Sequence, residues 1–107
     1  MQDGFNRTAL MFAAGEGHLE CVKILAPLEK GMKDEYGWTA LIYAAEYGHL
    51  ECVKVLAPLE KGMKDKDGET ALMRAALRGN LECVKILAPL ENGMKSNSGW
   101  TALMLAA

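Results

Sequence analysis

Slid along itself by 31 residues, the chain meets its own text again. The string "GHLECVKILAPLEKGMK" occupies 17–33, "GHLECVKVLAPLEKGMK" 48–64 and "GNLECVKILAPLENGMK" 79–95. "TAL" opens at Thr8, Thr39, Thr70 and Thr101 on the same offset. The units therefore run over about 3–33, 34–64 and 65–95, with a partial unit over 96–107, inside one domain spanning 1–107. A fixed period of this length is the tightest constraint the sequence carries. One unit is too small to bury its apolar face alone, so successive units must stack and share a core.

Each unit reads as turn, short helix, longer helix and return. Residues 34–37, "DEYG", spell a turn with Gly37 where φ > 0 is needed. Asn6, the residue type next most at ease there, holds the matching place in the first unit. Thr39 stands as an N-cap. "ALIYAAEYG" then forms a short helix whose Leu41, Ala44 and Ala45 share a face and let a neighbouring helix approach closely. Gly48 ends it. His49, replaced by Asn80 in the third unit, falls at the next N-cap, where a side-chain acceptor is wanted. In "LECVKVLA", Leu50, Val53 and Leu56 make a stripe that Cys52 and Val55 widen, leaving Glu51 and Lys54 for water. A helix this apolar is buried on more than one side. Pro58 is expected to end it, because proline has no N–H to donate, and "LEKGMK" leads to the next turn.

The turn with its D-x-x-G-x-T, the short helix with Ala-Ala, the Gly-His step, the second helix and the return together resemble the ankyrin repeat, over essentially the whole chain. Thr39, Leu41, Ala44, Ala45, Gly48 and His49 fall on the family's pattern, as do their counterparts in the other units. The resemblance implies an all-α fold, an ankyrin-type solenoid of stacked helix-turn-helix units, and protein–protein binding as its function. The chain departs from the family's T-P-L-H-x-A. Ala9, Ala40, Ala71 and Ala102 replace the Pro; Met11, Ile42, Met73 and Met104 replace the His, so apolar contacts are expected where the family has a polar network. The period falls short of the usual ~33 residues. The gap is placed around "APLEKGMK", which shortens or reshapes the protruding hairpin.

Composition excludes several functions. Lys and Arg number 12 against 14 Asp and Glu, for a net charge of −2, so nothing electrostatic points to nucleic acid or an anionic membrane as partner. No apolar run approaches the roughly 20 residues that span a bilayer. Met1 is followed by Gln2, Asp3 and Gly4, not by the basic and then apolar start of a secretory leader. Three cysteines is an odd number for a closed disulfide framework and fits an intracellular, cytoplasmic setting. Cys21, Cys52 and Cys83 share one position of the second helix and are expected as reduced, buried, metal-free small hydrophobes. "HLEC" at 18–21 and 49–52 offers two His and two Cys, but Asn80 breaks that pattern in the third unit. Stacked helices at roughly 8–10 Å also exceed the ~7 Å Cα separation a disulfide tolerates. Glu20, Glu51 and Glu82 recur once per unit and suit a helix N-terminal dipole better than half of an acid–base pair. No catalytic set, cofactor site or metal site is expected, and the chain reads as a non-enzyme.

Aligned on the period, the second helix is nearly constant, changing only at Ile24, Val55 and Ile86. The turn and first helix vary. In the family's stacking these varying positions line the turn tips and the concave face. The resemblance thus implies a partner-binding surface made of Phe5, Arg7, Phe12, Glu16, Glu35, Tyr36, Trp38, Tyr43, Glu46, Tyr47, Lys66, Asp67, Glu69, Arg74, Arg78 and Trp100, for a protein partner whose identity is open. Aromatics and arginine dominate binding energy at interfaces. The expected centre is Tyr36, Trp38, Tyr43 and Tyr47, beside a cationic patch of Arg74 and Arg78 that Glu46 and Glu69 moderate. Solvent-facing positions also drift when nothing restrains them, so variation alone leaves recognition and drift both open. Two other roles stand beside partner binding. One is a structural segment of a longer array, self-associating end to end or by domain exchange through Leu103, Met104 and Leu105 at one end and Leu19, Val22 and Leu25 at the other. The other is the targeting region of a larger multidomain protein such as a kinase.

Overall fold

The computed structural model describes residues 5–91, 94–97 and 99, and within them the chain forms three helix pairs. They are α1 (Ala9–Glu16) with α2 (Leu19–Glu29), α3 (Ala40–Glu46) with α4 (Leu50–Glu60), and α5 (Ala71–Arg78) with α6 (Leu81–Glu91). Every regular element among the described residues is a helix. The short helices α1, α3 and α5 stack in one row and the long helices α2, α4 and α6 in a second. This is the expected all-α solenoid of stacked helix-turn-helix units.

The turns of the second and third units are locked by their aspartates. Asp34 Oδ1 accepts the N–H groups of Tyr36 and Trp38, both at 2.9 Å, and Asp65 Oδ1 does the same for Asp67 and Glu69. Gly37 takes φ +80°, and Asn6 holds the matching place at φ +62°. Gly37 is required for a second reason: an added Cβ would stand 2.8 Å from Lys66 N. That close approach lets adjacent turns join through backbone bonds, Glu35 N–H to Phe5 O at 2.7 Å and Lys66 N–H to Tyr36 O at 3.1 Å. Thr8, Thr39 and Thr70 cap the short helices, accepting from the N–H of Met11, Ile42 and Met73. Those three side chains, where the family has His, are buried, and Met11 Sδ accepts Thr8 N–H at 3.4 Å. Ala14, Ala44, Ala45 and Ala75 are fully buried, and their small size lets the short helices sit close.

The long helices run further than the sequence suggests. Pro27, Pro58 and Pro89 lie inside α2, α4 and α6, which continue to Glu29, Glu60 and Glu91. Proline removes one helical hydrogen bond, but Pro58 and Lys54, four residues back, are both on the exposed side of α4, where such a loss costs less than in the core. The added residues carry a glutamate into the core. Glu60 is 2 % exposed; its Oε1 accepts Leu41 N–H at 2.8 Å within its unit, and its Oε2 accepts Gly31 N–H at 2.8 Å from the unit before. Glu91 repeats this with Leu72 at 2.9 Å and Gly62 at 2.7 Å, and Glu29 accepts Leu10 N–H at 2.9 Å. Burial pushes the Glu60 and Glu91 carboxyls above the ordinary range, and the backbone donors offset it only in part.

Three expectations are corrected here. Cys52 and Cys83 are buried, but Cys21 is exposed, because this helix position faces the preceding unit and α2 has none among the described residues. For the same reason the uncovered residues of α2 are Cys21, Ile24 (69 % exposed) and Leu28 (75 % exposed); Val22 is fully buried, and Leu19 and Leu25 half-buried. His49 does not cap α4. Its Nε2 lies 2.9 Å from Gly15 O of the unit before, and Asn80 Nδ2 donates to Ala45 O at 2.8 Å. The position ties one unit to the last rather than capping its own helix. Leu103, Met104 and Leu105 lie outside the described residues.

Candidate functional site

The positions that vary between units gather on the short-helix row and the turn tips. Arg7 stands just before the cap Thr8, its guanidinium 5.1 Å from the Phe5 ring and 5.0 Å from the Phe12 ring. Phe5 stacks on Tyr36 of the next turn, with centroids 5.9 Å apart. Phe5, Phe12, Tyr36 and Tyr47 are 43 %, 47 %, 53 % and 60 % exposed. Trp38 and Tyr43 are only half-buried yet already engaged. Their rings meet edge to face at 4.9 Å, Arg74 lies 5.3 Å over the Trp38 ring, and the Tyr43 hydroxyl donates to Asp34 Oδ2. Burial, then the hydrogen bond to Asp34 and its charge, hold that hydroxyl well above the ordinary phenol range, so it stays neutral.

The arginines of the third unit are paired directly with the two carboxylates expected to moderate them. Arg74 Nε donates to Glu46 Oε1 at 2.9 Å, Arg74 Nη1 to Glu69 Oε1 at 3.0 Å, and Arg78 Nε to Glu46 Oε2 at 2.7 Å. Glu46 is buried between them. Burial alone would raise its carboxyl; the hydrogen bonds and charges of Arg78 and Arg74 outweigh that and hold it below the ordinary carboxylate range. The two cations are thus matched by two carboxylates. Glu16, Glu35, Lys66 and Asp67 are exposed at the rim. Trp100 lies outside the described residues.

Two depressions open on this face, the first at the boundary between the first and second units and the second reaching the third unit. One, of about 500 Å³, is lined by Phe12, Gly15 and Glu16; the other, of about 540 Å³, by Tyr36, Trp38, Lys66 and Asp67; Arg7, Tyr43 and Tyr47 border both. Sequence reading left Gly15, one of the varying positions, out of the expected binding residues, and it lines the first depression. Its signal is the change from Gly15 to Glu46 to Leu77 at one place in the period. It also missed the Glu29, Glu60 and Glu91 ties, whose signal is one glutamate recurring before each Gly-Met return.

Asp65, Asp67 and Glu69 bring carboxylate oxygens within 4.8 Å of one another. Asp65 is already engaged by the turn's backbone and Glu69 by Arg74. No helix among the described residues is long and apolar enough to cross a membrane.

A family model described as ankyrin repeats in three copies matches residues 1–64 and 57–107, which together span the sequence. Comparison with curated proteins gives no match. Threonine caps, left-handed turn glycines, paired helices in two rows and the matched spans lead to one conclusion: the chain belongs to the ankyrin-repeat family.

Proposed function

We propose that the chain is a protein-binding module that holds its partner against the turn tips and the short-helix row. Ankyrin repeats are generally protein–protein interaction modules, and the family is typically non-enzymatic. One observation carries the reading: Phe5, Phe12, Tyr36 and Tyr47 stand exposed together on that row. Clustered exposed rings favour a contact surface over random drift. Those four rings and Arg7 act as anchors, Trp38 and Tyr43 form the floor, and Glu16, Glu35, Lys66 and Asp67 make the rim. The Arg74, Arg78, Glu46 and Glu69 network supports shape more than charge. The test recovers a partner with the intact module and then scans it by alanine. Phe12→Ala and Tyr47→Ala should each weaken binding by about 2 kcal/mol, while Lys23→Ala and Lys54→Ala on the long helices should change it little, with circular dichroism checking the fold. If the lysines matter and the rings do not, the partner docks on the long-helix row and the reading is wrong.

A second reading, self-association, is favoured by the exposure of Ile24 and Leu28 on α2. Its test is whether Cys21, beside them, becomes protected as concentration rises.

A further inference from the structure

The boundary between the first and second units differs from the next boundary at one place in the period. Gly15 lies in the last turn of α1, where α3 has Glu46 and α5 has Leu77. Between the second and third units, Glu46 fills the boundary and holds Arg74 and Arg78. Between the first and second, Gly15 contributes no side chain, and a groove of about 500 Å³ opens over it with Phe12, Tyr43 and Tyr47 as walls. The backbone does not call for glycine: an added Cβ would sit 3.9 Å from its nearest neighbours, in the Tyr43 and Tyr47 rings and stem. Glycine is also less favourable than alanine inside a helix. Space, rather than conformation, is what Gly15 supplies. The groove is flanked by opposite charges, since Arg7 precedes the N-cap of α1 and Glu16 is its last residue. At 1.5 Å per residue that helix sets their backbones about 12 Å apart, with the Arg7 guanidinium lying back over the Phe12 ring.

We infer that this groove is the anchor site for an extended segment of the partner protein, one with a large apolar side chain flanked two residues away by an acidic residue on one side and a basic residue on the other. The inference rests on the short-helix row being the binding face, and it adds the class of segment bound there. In an extended strand, side chains at i, i+2 and i+4 point the same way, and i to i+4 spans about 13 Å. That span matches the backbone separation of Arg7 and Glu16. The acid meets the Arg7 end, the apolar side chain enters over Gly15 between the aromatic walls, and the base meets Glu16. The pattern fits with the segment running in either direction.

The test uses dodecapeptides with Glu-Ser-Leu-Ser-Lys at their centre, titrated into the isotope-labelled chain and followed by amide chemical shifts. Shifts are expected at Phe12, Gly15, Glu16, Tyr43 and Tyr47. Binding should weaken by about tenfold or more when Ser replaces Leu, or when both flanking residues carry the same charge. Gly15→Leu, which fills the groove, should lose the peptide. Gly15→Ala, which the helix favours, guards against a leucine variant that fails to fold and should bind several-fold more weakly. A Ser-centred peptide that binds equally well, undiminished binding by Gly15→Leu, or no shift with any peptide overturns the inference. Shifts confined to Trp38, Arg74 and Arg78 overturn the groove but leave the short-helix face standing. Shifts confined to Lys23 and Lys54 count against both.

Discussion

Glu60 joins two units through backbone alone, one N–H from Leu41 and one from Gly31. Removing the carboxylate leaves both donors without a partner, and each such buried group costs about 1–3 kcal/mol. Glu60→Ala should therefore lower stability by about 2–4 kcal/mol in urea unfolding at neutral pH. Glu51→Ala, which breaks only an exposed pair with Lys54, should change it by under about 0.5 kcal/mol. Equal losses would mean that the Glu60 bonds contribute nothing special. Glu46 titrates in the opposite sense. Its folded pKa lies below the ordinary 4.5, so its stabilisation is present above that value and is lost as pH falls through the folded pKa. Glu60 and Glu91 are raised, so the increment from holding their carboxyls protonated is present below 4.5 and is lost as pH rises through their folded values; the bonds they accept from backbone N–H groups are not lost with it. Glu46→Gln isolates the first effect. Wild type and variant should differ most near neutral pH and converge in acid, as followed by thermal unfolding across that range. A gap independent of pH would refute the charged network as the source of the stabilisation.

At the scale of the element, the long helices hold the least local choice in the chain, a proline inside each. Proline in a helix interior is about 3 kcal/mol worse than alanine, and its stiffening of the unfolded chain recovers about 0.4–1 kcal/mol of that. Pro58 and Lys54 sit on an exposed face, where a freed carbonyl costs less than in the core, which reduces the gain further. Pro58→Ala should stabilise by about 1–2 kcal/mol in the same urea experiment. A loss would instead mean that proline shapes the helix end which delivers Glu60 to Leu41. The helix pairs and their caps were legible because they follow local chemistry: a Thr hydroxyl reaches the N–H three residues on, and a turn needs φ > 0 at one place. The end of α4 was not legible, because the bond that extends it runs from Glu60 to a helix 19 residues back and to another unit. His49 was misread because the cap position also faces Gly15 O across the unit boundary. Residue type identified the aromatic face but could not tell Trp38 and Tyr43, covered by neighbours, from Tyr36 and Tyr47, which stand out. The Glu46 pairs were closer to hand. Arg74 and Arg78 lie 28 and 32 residues from Glu46, near one period, and the period sets such residues side by side.

At the scale of the whole molecule, a stack of like units has two unlike faces, and the interior shows how they fit. In α4 and α6 the cysteine position is buried against the long helix of the unit before. In α2 the same face, Cys21, Ile24 and Leu28, is open, and at the far end Leu81 is exposed where Leu50 is half-buried. Residues 17–33 and 79–95 are nearly the same text, so the surface that α2 offers to α4 inside one molecule is the surface that α6 can offer to α2 of another. Such a contact is head to tail and is not closed by symmetry, so it would extend with concentration. Cys21 reports on it. In dilute solution a native thiol titration should find one reactive thiol of the three in the chain. Cys52 and Cys83 are shielded, and burial, then the neighbouring Glu51 and Glu82 charges, raise their pKa and so deplete the reactive thiolate. As the 107-residue polypeptide is concentrated, labelling of Cys21 should slow in step with a rise in sedimentation coefficient, and Ile24→Glu should abolish both changes. A single sedimenting species with a constant labelling rate at every concentration would rule the association out. Growth in size with Cys21 still fully reactive would move the contact away from α2, because no partner could cover Ile24 and Leu28 in the manner of the internal units and leave that thiol open.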